Sequence, residues 1–242
     1  MRLKAVISYN GAKFYGFQRQ KSTDNTIVSH LERALNSIGI KSKVFGSGRT
    51  DKGVHATGQV IHFDIPHYWQ KRSFQELKIH LNAKLEAITI KHIKEVERNF
   101  HAQYSAKRRI YRYIFKKTPP SVFESDFVSH YKIEDQEKLK QALYLYRGEH
   151  DFRYFKKEGS VTSTNIRHIY DIKVKDLKSY TIIYFSANGY LRSQVRMMLQ
   201  GAFKVAQNEL SLKQLLEQIE CKRKYFTSLA KPQGLYLHRV IY

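Results

Sequence analysis

The stretch GSGRTDKGVHATGQVIHFDI, residues 46–65, joins a glycine-rich segment to an alternating one. In its second part Ile61, Phe63 and Ile65 fall on one side, as they do in a half-buried β-strand. Its first part has four glycines in thirteen residues, which lets the backbone turn sharply or approach a neighbour closely. It matches neither of the common glycine-rich nucleotide-binding patterns, and no helical period follows it. The stretch therefore predicts a tight loop that leads into a strand.

Three side chains of this loop can carry chemistry: Arg49, Asp51 and His55. If the segment is extended, Arg49 and Asp51 point to the same side and can pair. An adjacent guanidinium lowers the pKa of a carboxyl group and keeps it ionised, which suits a nucleophile or a general base. The simpler alternative is an Asp that caps backbone amides in a turn, with His55 in an ordinary hydrogen bond. The residues alone leave both alternatives open.

The first hundred residues alternate strand and helix patterns. The predicted strands are 3–9, 59–65 and 87–93, and the predicted helices are 26–39 and 74–85. This β-α-β-α-β order predicts a sheet with helices on one face.

The rest of the chain repeats the scheme more loosely. Predicted strands are 109–115, 167–174, 180–187 and 235–242, and predicted helices are 137–146, 191–206 and 212–219. We therefore expect two related α/β halves, residues 1–104 and 105–242, with a groove where they meet.

The charge balance points to a polyanionic partner. Lys and Arg number 43 against 21 Asp and Glu, a net charge of +22. Three basic clusters are interleaved with aromatic residues, which is the composition of an RNA-binding surface: KFYGFQRQK (13–21), YSAKRRIYRY (104–113) and FRYFKK (152–157). A source proteome rich in lysine is the alternative explanation of the charge.

Cysteine usage and hydropathy indicate a cytoplasmic protein. Cys221 is the single cysteine, so a disulfide within the chain is impossible and a cysteine-based zinc site is not expected. The sequence shows no signal-peptide pattern and no run of about 18 apolar residues, so we expect no membrane span.

The glycine-rich stretch closely resembles the active-site motif of the tRNA pseudouridine synthase A family, whose R-T-D-x-G-V-H sequence contains the catalytic carboxylate. The resemblance makes Asp51 that carboxylate and places Arg49 beside it. Four further segments are similar to family motifs and follow in the same order: YNGAKFYGFQRQ (9–20), FHAQYSAKRRIYRYIF (100–115), NGYLRSQVRMM (188–198) and GLYLHRVIY (234–242).

Two more site residues follow from the resemblance. Tyr111 corresponds to the tyrosine that stacks on the target base, and Arg196 to the arginine that reaches the catalytic pocket. Without the resemblance, Tyr111 would be interpreted as a core aromatic of a strand. Arg196 would be interpreted as a side chain that covers the apolar helix face and extends to water.

The resemblance also implies the fold and the reaction. The fold is α+β, with two ferredoxin-like halves whose mainly antiparallel sheets flank a basic active-site cleft. The reaction converts uridine to pseudouridine at nucleotides 38, 39 and 40 of the tRNA anticodon stem-loop, without cofactor or metal. The enzyme is expected to be a homodimer that grips the tRNA with both subunits.

Two departures and two rival functions accompany this hypothesis. Gln103 stands where the family commonly has Arg, and Gln200 where it usually has Gly, with Gly201 next to it.

One rival function is that of a non-catalytic RNA-binding or chaperone protein on the same scaffold. The other is a nucleic-acid hydrolase using Asp51 and His55, for which the loop offers no second carboxylate to hold a metal.

Overall fold

The computed structural model describes residues 1–69, 72–159 and 162–242. Contacts divide the chain into two units, the first formed by Met1–Lys107 with Tyr236–Tyr242 and the second by Arg108–Leu235. Within the described residues, no helix combines the length and the apolar character needed to cross a membrane.

The described residues form ten strands and five α-helices. The strands are β1 (Arg2–Tyr9), β2 (Phe45–Gly46), β3 (His55–Asp64), β4 (Ile88–Val96), β5 (Arg108–Lys116), β6 (Ser129–His130), β7 (Gly148–Asp151), β8 (Ile166–Asp176), β9 (Thr181–Ala187) and β10 (Leu235–Ile241). The helices are α1 (Ile27–Ser37), α2 (Phe74–Asn82), α3 (Gln136–Tyr144), α4 (Gln194–Ala206) and α5 (Leu212–Ile219).

The sheet of the first unit is built around β1. This strand lies between β4 and β3 and is antiparallel to both. Its alternating Leu3, Ala5 and Ile7 are fully buried, as the period of two requires when one face packs on a core. On the other side of β3, β10 pairs in parallel, with Tyr236 opposite His55.

The helices of the first unit begin where their sequences predict, and they end two to three residues earlier, at Ser37 and Asn82. The Thr26 side chain caps α1 by accepting the Ser29 amide, and Ser73 caps α2 in the same way through the Glu76 amide. Such a cap contributes about 1 kcal/mol. The apolar face of α1 is buried, so tertiary packing supplies most of its stability.

The second unit has an antiparallel sheet in the order β5, β9, β8, β7. Tyr113 and Phe115 of β5 are fully buried, and Phe203 of α4 packs against both rings. The predicted strands and helices are present. Strand β7 was not predicted, because its residues GEHD are polar and show no alternation, and the two-residue strands β2 and β6 were not predicted either.

The division of the chain differs from the expected one at its end. The predicted second half included all of 105–242, whereas the contacts place residues 236–242 with the first unit. The reason is that β10 pairs with β3 and the Ile241 carbonyl accepts the Lys107 amide at 2.9 Å. Alternation identifies a strand but not its neighbour. The α+β class with mainly antiparallel sheets is confirmed, while the independence of the two units as domains stays a prediction.

Candidate active site

The loop that carries Asp51 is anchored directly before that residue. The hydroxyl groups of Thr50 and Tyr9 lie 2.8 Å apart, and both side chains are buried. The Thr50 carbonyl also accepts the Phe17 amide at 3.0 Å. Side chain and main chain of Thr50 are therefore both fixed, which defines the backbone position from which Asp51 starts.

A tight turn follows Asp51. The Val54 amide donates to the Asp51 carbonyl at 3.1 Å, and Gly53 has a φ of 79°, a conformation that side chains other than glycine rarely adopt. Asp51 itself is half-buried. The main chain of Asp51 closes the turn, and the role of its carboxylate stays a prediction.

The start of the loop is held by Gln59 of β3. Ser47 Oγ donates to Gln59 Oε1 at 2.7 Å, and Gln59 Nε2 donates to the Gly48 carbonyl at 2.7 Å. Gln59 is fully buried, and a satisfied buried polar network of this kind rigidifies its surroundings. The roles of Gln59, Thr50 and Tyr9 as supports of the loop were not predicted from the sequence. The available signal was a polar Gln among the apolar residues of a strand.

The N-terminal segment 9–20 packs against the far end of the same loop. A Cβ on Gly11 would lie 2.0 Å from the Val54 carbonyl oxygen, so only glycine fits there. The two segments most similar to family motifs in the first unit therefore act together, one carrying Asp51 and the other supporting its loop.

His55 has a structural role in this arrangement. It is buried, its Nδ1 accepts the Gly11 amide at 3.0 Å, and its ring stacks on Tyr236 with centroids 4.7 Å apart. Accepting that bond requires Nδ1 to be unprotonated. The geometry supports the interpretation of His55 as an ordinary hydrogen-bonding residue and gives no support to an acid–base pair of Asp51 and His55.

Arg49 is exposed on the loop. Residues 47–54 form no strand between β2 and β3, so the alternation argument that put Arg49 on the same side as Asp51 does not apply. An approach of the guanidinium to the carboxylate stays a prediction.

Tyr111 lies on β5 in the second unit, opposite Phe185 of β9. It is 7% exposed and meets Tyr190 edge to face, with centroids 5.2 Å apart. The Tyr190 hydroxyl is buried and has no hydrogen-bond partner among the described residues. Burial holds the pKa of Tyr190 well above its usual value, so this hydroxyl stays protonated.

Arg196 lies on α4 and is fastened to Ala230. Its Nε donates to the Ala230 carbonyl at 2.8 Å, and its own carbonyl accepts the Ala230 amide at 3.0 Å. The Nε bond orients the planar guanidinium, which carries five N–H donors. This arrangement differs from a side chain that only extends into water.

The departures from the family pattern have different settings. Gln103 is exposed and Gln200 is half-buried. Gly201 provides the close packing on α4, because a Cβ there would lie 2.5 Å from the Phe226 ring and 2.7 Å from the Tyr146 hydroxyl oxygen. Gly201, which lies one residue after the usual family position, is therefore required by the packing around α4.

Comparisons with known proteins agree with one another. A family model described as tRNA pseudouridine synthase matches residues 5–105 and 142–242. A tRNA pseudouridine synthase A of Helicobacter hepaticus is 42% identical over 243 residues, covering 99% of this chain and 98% of that protein. One of Wolinella succinogenes is 38% identical, covering 98% of this chain and 93% of that protein.

Among solved structures, one described as a Cbf5-Nop10-Gar1 complex matches with a TM-score of 0.37 and 11% identity, and the chain covers 45% of its length. The near-complete sequence matches, together with the anchored R-T-D loop, show that the chain belongs to the tRNA pseudouridine synthase family.

Proposed function

We propose that the chain converts uridine to pseudouridine at nucleotides 38, 39 and 40 of the tRNA anticodon stem-loop, with Asp51 as the catalytic carboxylate. The observation that carries the proposal is the loop 46–58, which has the family's R-T-D-x-G-V-H residues and is fixed on both sides of Asp51. Family membership supports the isomerisation of uridine in tRNA. The three nucleotide positions rest on the motif resemblance.

The reaction needs a carboxylate and no added atoms. The N1–C1′ bond breaks, the uracil rotates, and a C5–C1′ bond forms, while the C5 hydrogen leaves as a proton and N1 gains one. Asp51 can act as a nucleophile at C1′ or at C6, or as a base in an elimination. All three routes require an ionised, well-oriented carboxylate, and the anchoring of Thr50 supports a defined orientation.

Tyr111 and Arg196 complete the proposed site. The target base must leave its stack, which costs a few kcal/mol, and an aromatic ring that stacks on it offsets part of this cost. The ring of Tyr111 packs edge to face against Tyr190. Arg196, whose guanidinium is oriented by its bond to Ala230, is assigned the role of binding anionic groups in the site.

Exposed cation and ring pairs support RNA as the partner. In the first unit, Lys52 Nζ lies 4.0 Å from the ring centroid of Tyr15, which is 49% exposed. In the second unit, the guanidinium of Arg108 lies 4.6 Å from the ring centroid of Tyr170, which is 42% exposed. Such pairs offer charge to phosphates and a ring to bases, and the net charge of +22 strengthens the attraction to RNA.

We assign the protein to the cytoplasm and to a homodimeric state as part of the same proposal.

The deciding experiment uses unmodified tRNA transcripts with uridine at position 38, 39 or 40 in turn. Mapping pseudouridine after incubation is expected to show product at each position, and none in transcripts that carry cytidine there. Tight binding without any product would favour the non-catalytic RNA-binding alternative. Product at other positions would keep the isomerase and overturn the assigned nucleotides.

A further inference from the structure

Two arginines of the second unit lie against the same short piece of backbone. Arg109 is on β5, Arg167 is on β8, and the backbone belongs to the segment between β9 and α4. A Cβ on Gly189 would be 3.6 Å from Arg167 Nε and 3.9 Å from Arg109 Nη1. The two guanidinium groups therefore lie close together beside Gly189.

The segment around Gly189 is held in place by its neighbours. The Asn188 amide donates to the His168 carbonyl at 3.2 Å, and the His168 amide donates back to Asn188 Oδ1 at 3.1 Å. Arg109 Nη1 donates to the Asn188 carbonyl at 3.0 Å, and Arg109 is only 9% exposed. The positions of both cations are thus set by the fold.

Arg167 has hydrogen bonds to neutral acceptors. Its guanidinium donates to the carbonyls of Thr164 and Ile166, at 3.0 and 2.6 Å, and to Thr162 Oγ1 at 3.4 Å. Among the described residues, no salt bridge to a carboxylate involves Arg167. Burial, and then the charge of Arg109, lower the pKa of Arg167.

This pair of cations adjoins the tyrosines of the proposed site. Tyr190 directly follows Gly189 in the chain, and its ring contacts Tyr111 edge to face. The Tyr190 hydroxyl is buried without a hydrogen-bond partner among the described residues, and a role in a functional site is one explanation of such a group. The cations are therefore next to the ring that is assigned to the target base.

We propose that Arg109 and Arg167 together bind one phosphodiester group of the RNA, adjacent to the nucleotide whose base stacks on Tyr111. The planar, forked donors of arginine match the oxygens of a phosphate better than an ammonium does. One bound phosphate also relieves the repulsion between the two cations. This inference rests on the proposed function, because it assumes that Tyr111 receives the base.

The test compares Arg167→Gln with Lys178→Gln. Lys178 is exposed in the turn between β8 and β9 of the same unit, so both variants lose one positive charge but only one alters the cluster. Binding of a tRNA transcript is measured over a series of salt concentrations. Arg167→Gln is expected to weaken binding about tenfold or more, the value of a charge-assisted hydrogen bond, and to reduce the log–log salt slope by about 0.7 to 0.9. Equal effects of the two substitutions would overturn the proposal.

A second measurement does not depend on the folding of a variant. The wild-type protein is given anticodon stem-loops in which one phosphate beside the target uridine at a time is a neutral methylphosphonate. We expect one of these positions to reduce affinity strongly. In the separate tRNA-binding assay of the variants, Arg167→Lys, which keeps the charge and loses the forked donors, should bind with an affinity between those of wild type and Arg167→Gln. If no flanking position matters, the RNA phosphate is excluded. Stabilisation of the protein by inorganic phosphate alone, without any flanking effect, would point to a free-phosphate site and would likewise overturn the proposal.

The same assays separate this inference from the proposed function. Pseudouridine formation by the wild-type protein tests the reaction, and the methylphosphonate series tests the phosphate contact. A protein that forms product but ignores the neutral linkages keeps the proposed function and loses the inference.

Discussion

The hydroxyl groups of Tyr9 and Thr50 lie 2.8 Å apart in the interior of the first unit, one residue before Asp51. This bond ties the end of β1 to the loop 46–58. A rigid strand therefore determines where the candidate catalytic carboxylate begins, which is how an active site gains precision from a scaffold.

Replacing Tyr9 with Phe is expected to lower activity by loosening this anchor. The ring fills the same space, but the buried Thr50 hydroxyl loses the partner seen here, at a cost of about 1–3 kcal/mol. We expect kcat to fall while KM for tRNA changes little, because Asp51 is mispositioned and the RNA contacts remain. Chemical unfolding and steady-state kinetics measure the two effects.

The control for this substitution is Tyr15→Phe. Tyr15 belongs to the same N-terminal segment but is 49% exposed, and its ring keeps the contact with Lys52 when the hydroxyl is removed. It should retain wild-type stability and kcat. A loss of kcat of the same size in both variants would show that the Tyr9–Thr50 bond has no special role.

The sequence predicted most of the fold because its strands and helices have clear periods. The alternation of Leu3, Ala5 and Ile7 and the apolar face of α1 are purely local signals. What it missed depends on the tertiary structure. The pairing of β10 with β3, the buried bonds of Gln59 and the acceptor role of His55 join residues far apart in the sequence, and periodicity carries no information about such partners. The roles of Asp51, Tyr111 and Arg196 were predicted from the resemblance to family motifs and not from a physical pattern in the sequence.

The stability of the first unit should depend on pH through His62. Burial, followed by the charges of His101 and Arg2, lowers the pKa of His62 from 6.5 to about 4, and its Nδ1 accepts the Ala102 amide at 3.1 Å. The unfolded chain therefore binds more protons than the folded one between these two values. The neutral, buried His62 therefore makes its full contribution to the free energy of unfolding above pH 6.5, and this contribution is lost as the pH falls towards 4.

The measurement is the free energy of unfolding at several pH values between 7.5 and 4.5. His62→Asn removes the titrating group, and we expect a flatter pH dependence than in wild type, whatever its effect on stability at pH 7.5. The matched control is His130→Asn in the second unit, a half-buried histidine that should leave the pH dependence of the wild type in place. An unchanged slope in His62→Asn would remove His62 from this explanation.

Tyr111 is expected to respond differently to loss of its hydroxyl and to loss of its ring. Tyr111→Phe keeps the edge-to-face contact with Tyr190, so it should fold and bind RNA normally and turn over more slowly. Tyr111→Ala leaves a cavity beside Tyr190 and should also cost about 3–5 kcal/mol of stability. Stopped-flow fluorescence with 2-aminopurine next to the target uridine reports base extrusion. Normal extrusion and activity per folded molecule in Tyr111→Ala would make Tyr111 a core residue only.

Asp51→Asn is the decisive substitution for the proposed chemistry. Asparagine keeps the shape of the side chain, and the turn is closed by the main chain of residue 51, so the protein should fold and bind tRNA with near-normal affinity. The amide can act neither as a nucleophile nor as a base of comparable strength, so no pseudouridine is expected even with enzyme in excess. Release of tritium from C5-labelled uridine under single-turnover conditions measures the chemistry, beside a binding assay on the same preparation.

Asp24→Asn, at an exposed position of the first unit, serves as the control and should react like wild type. Appreciable product from Asp51→Asn would exclude this carboxylate from the mechanism, whereas failure to fold would favour a structural role in the loop.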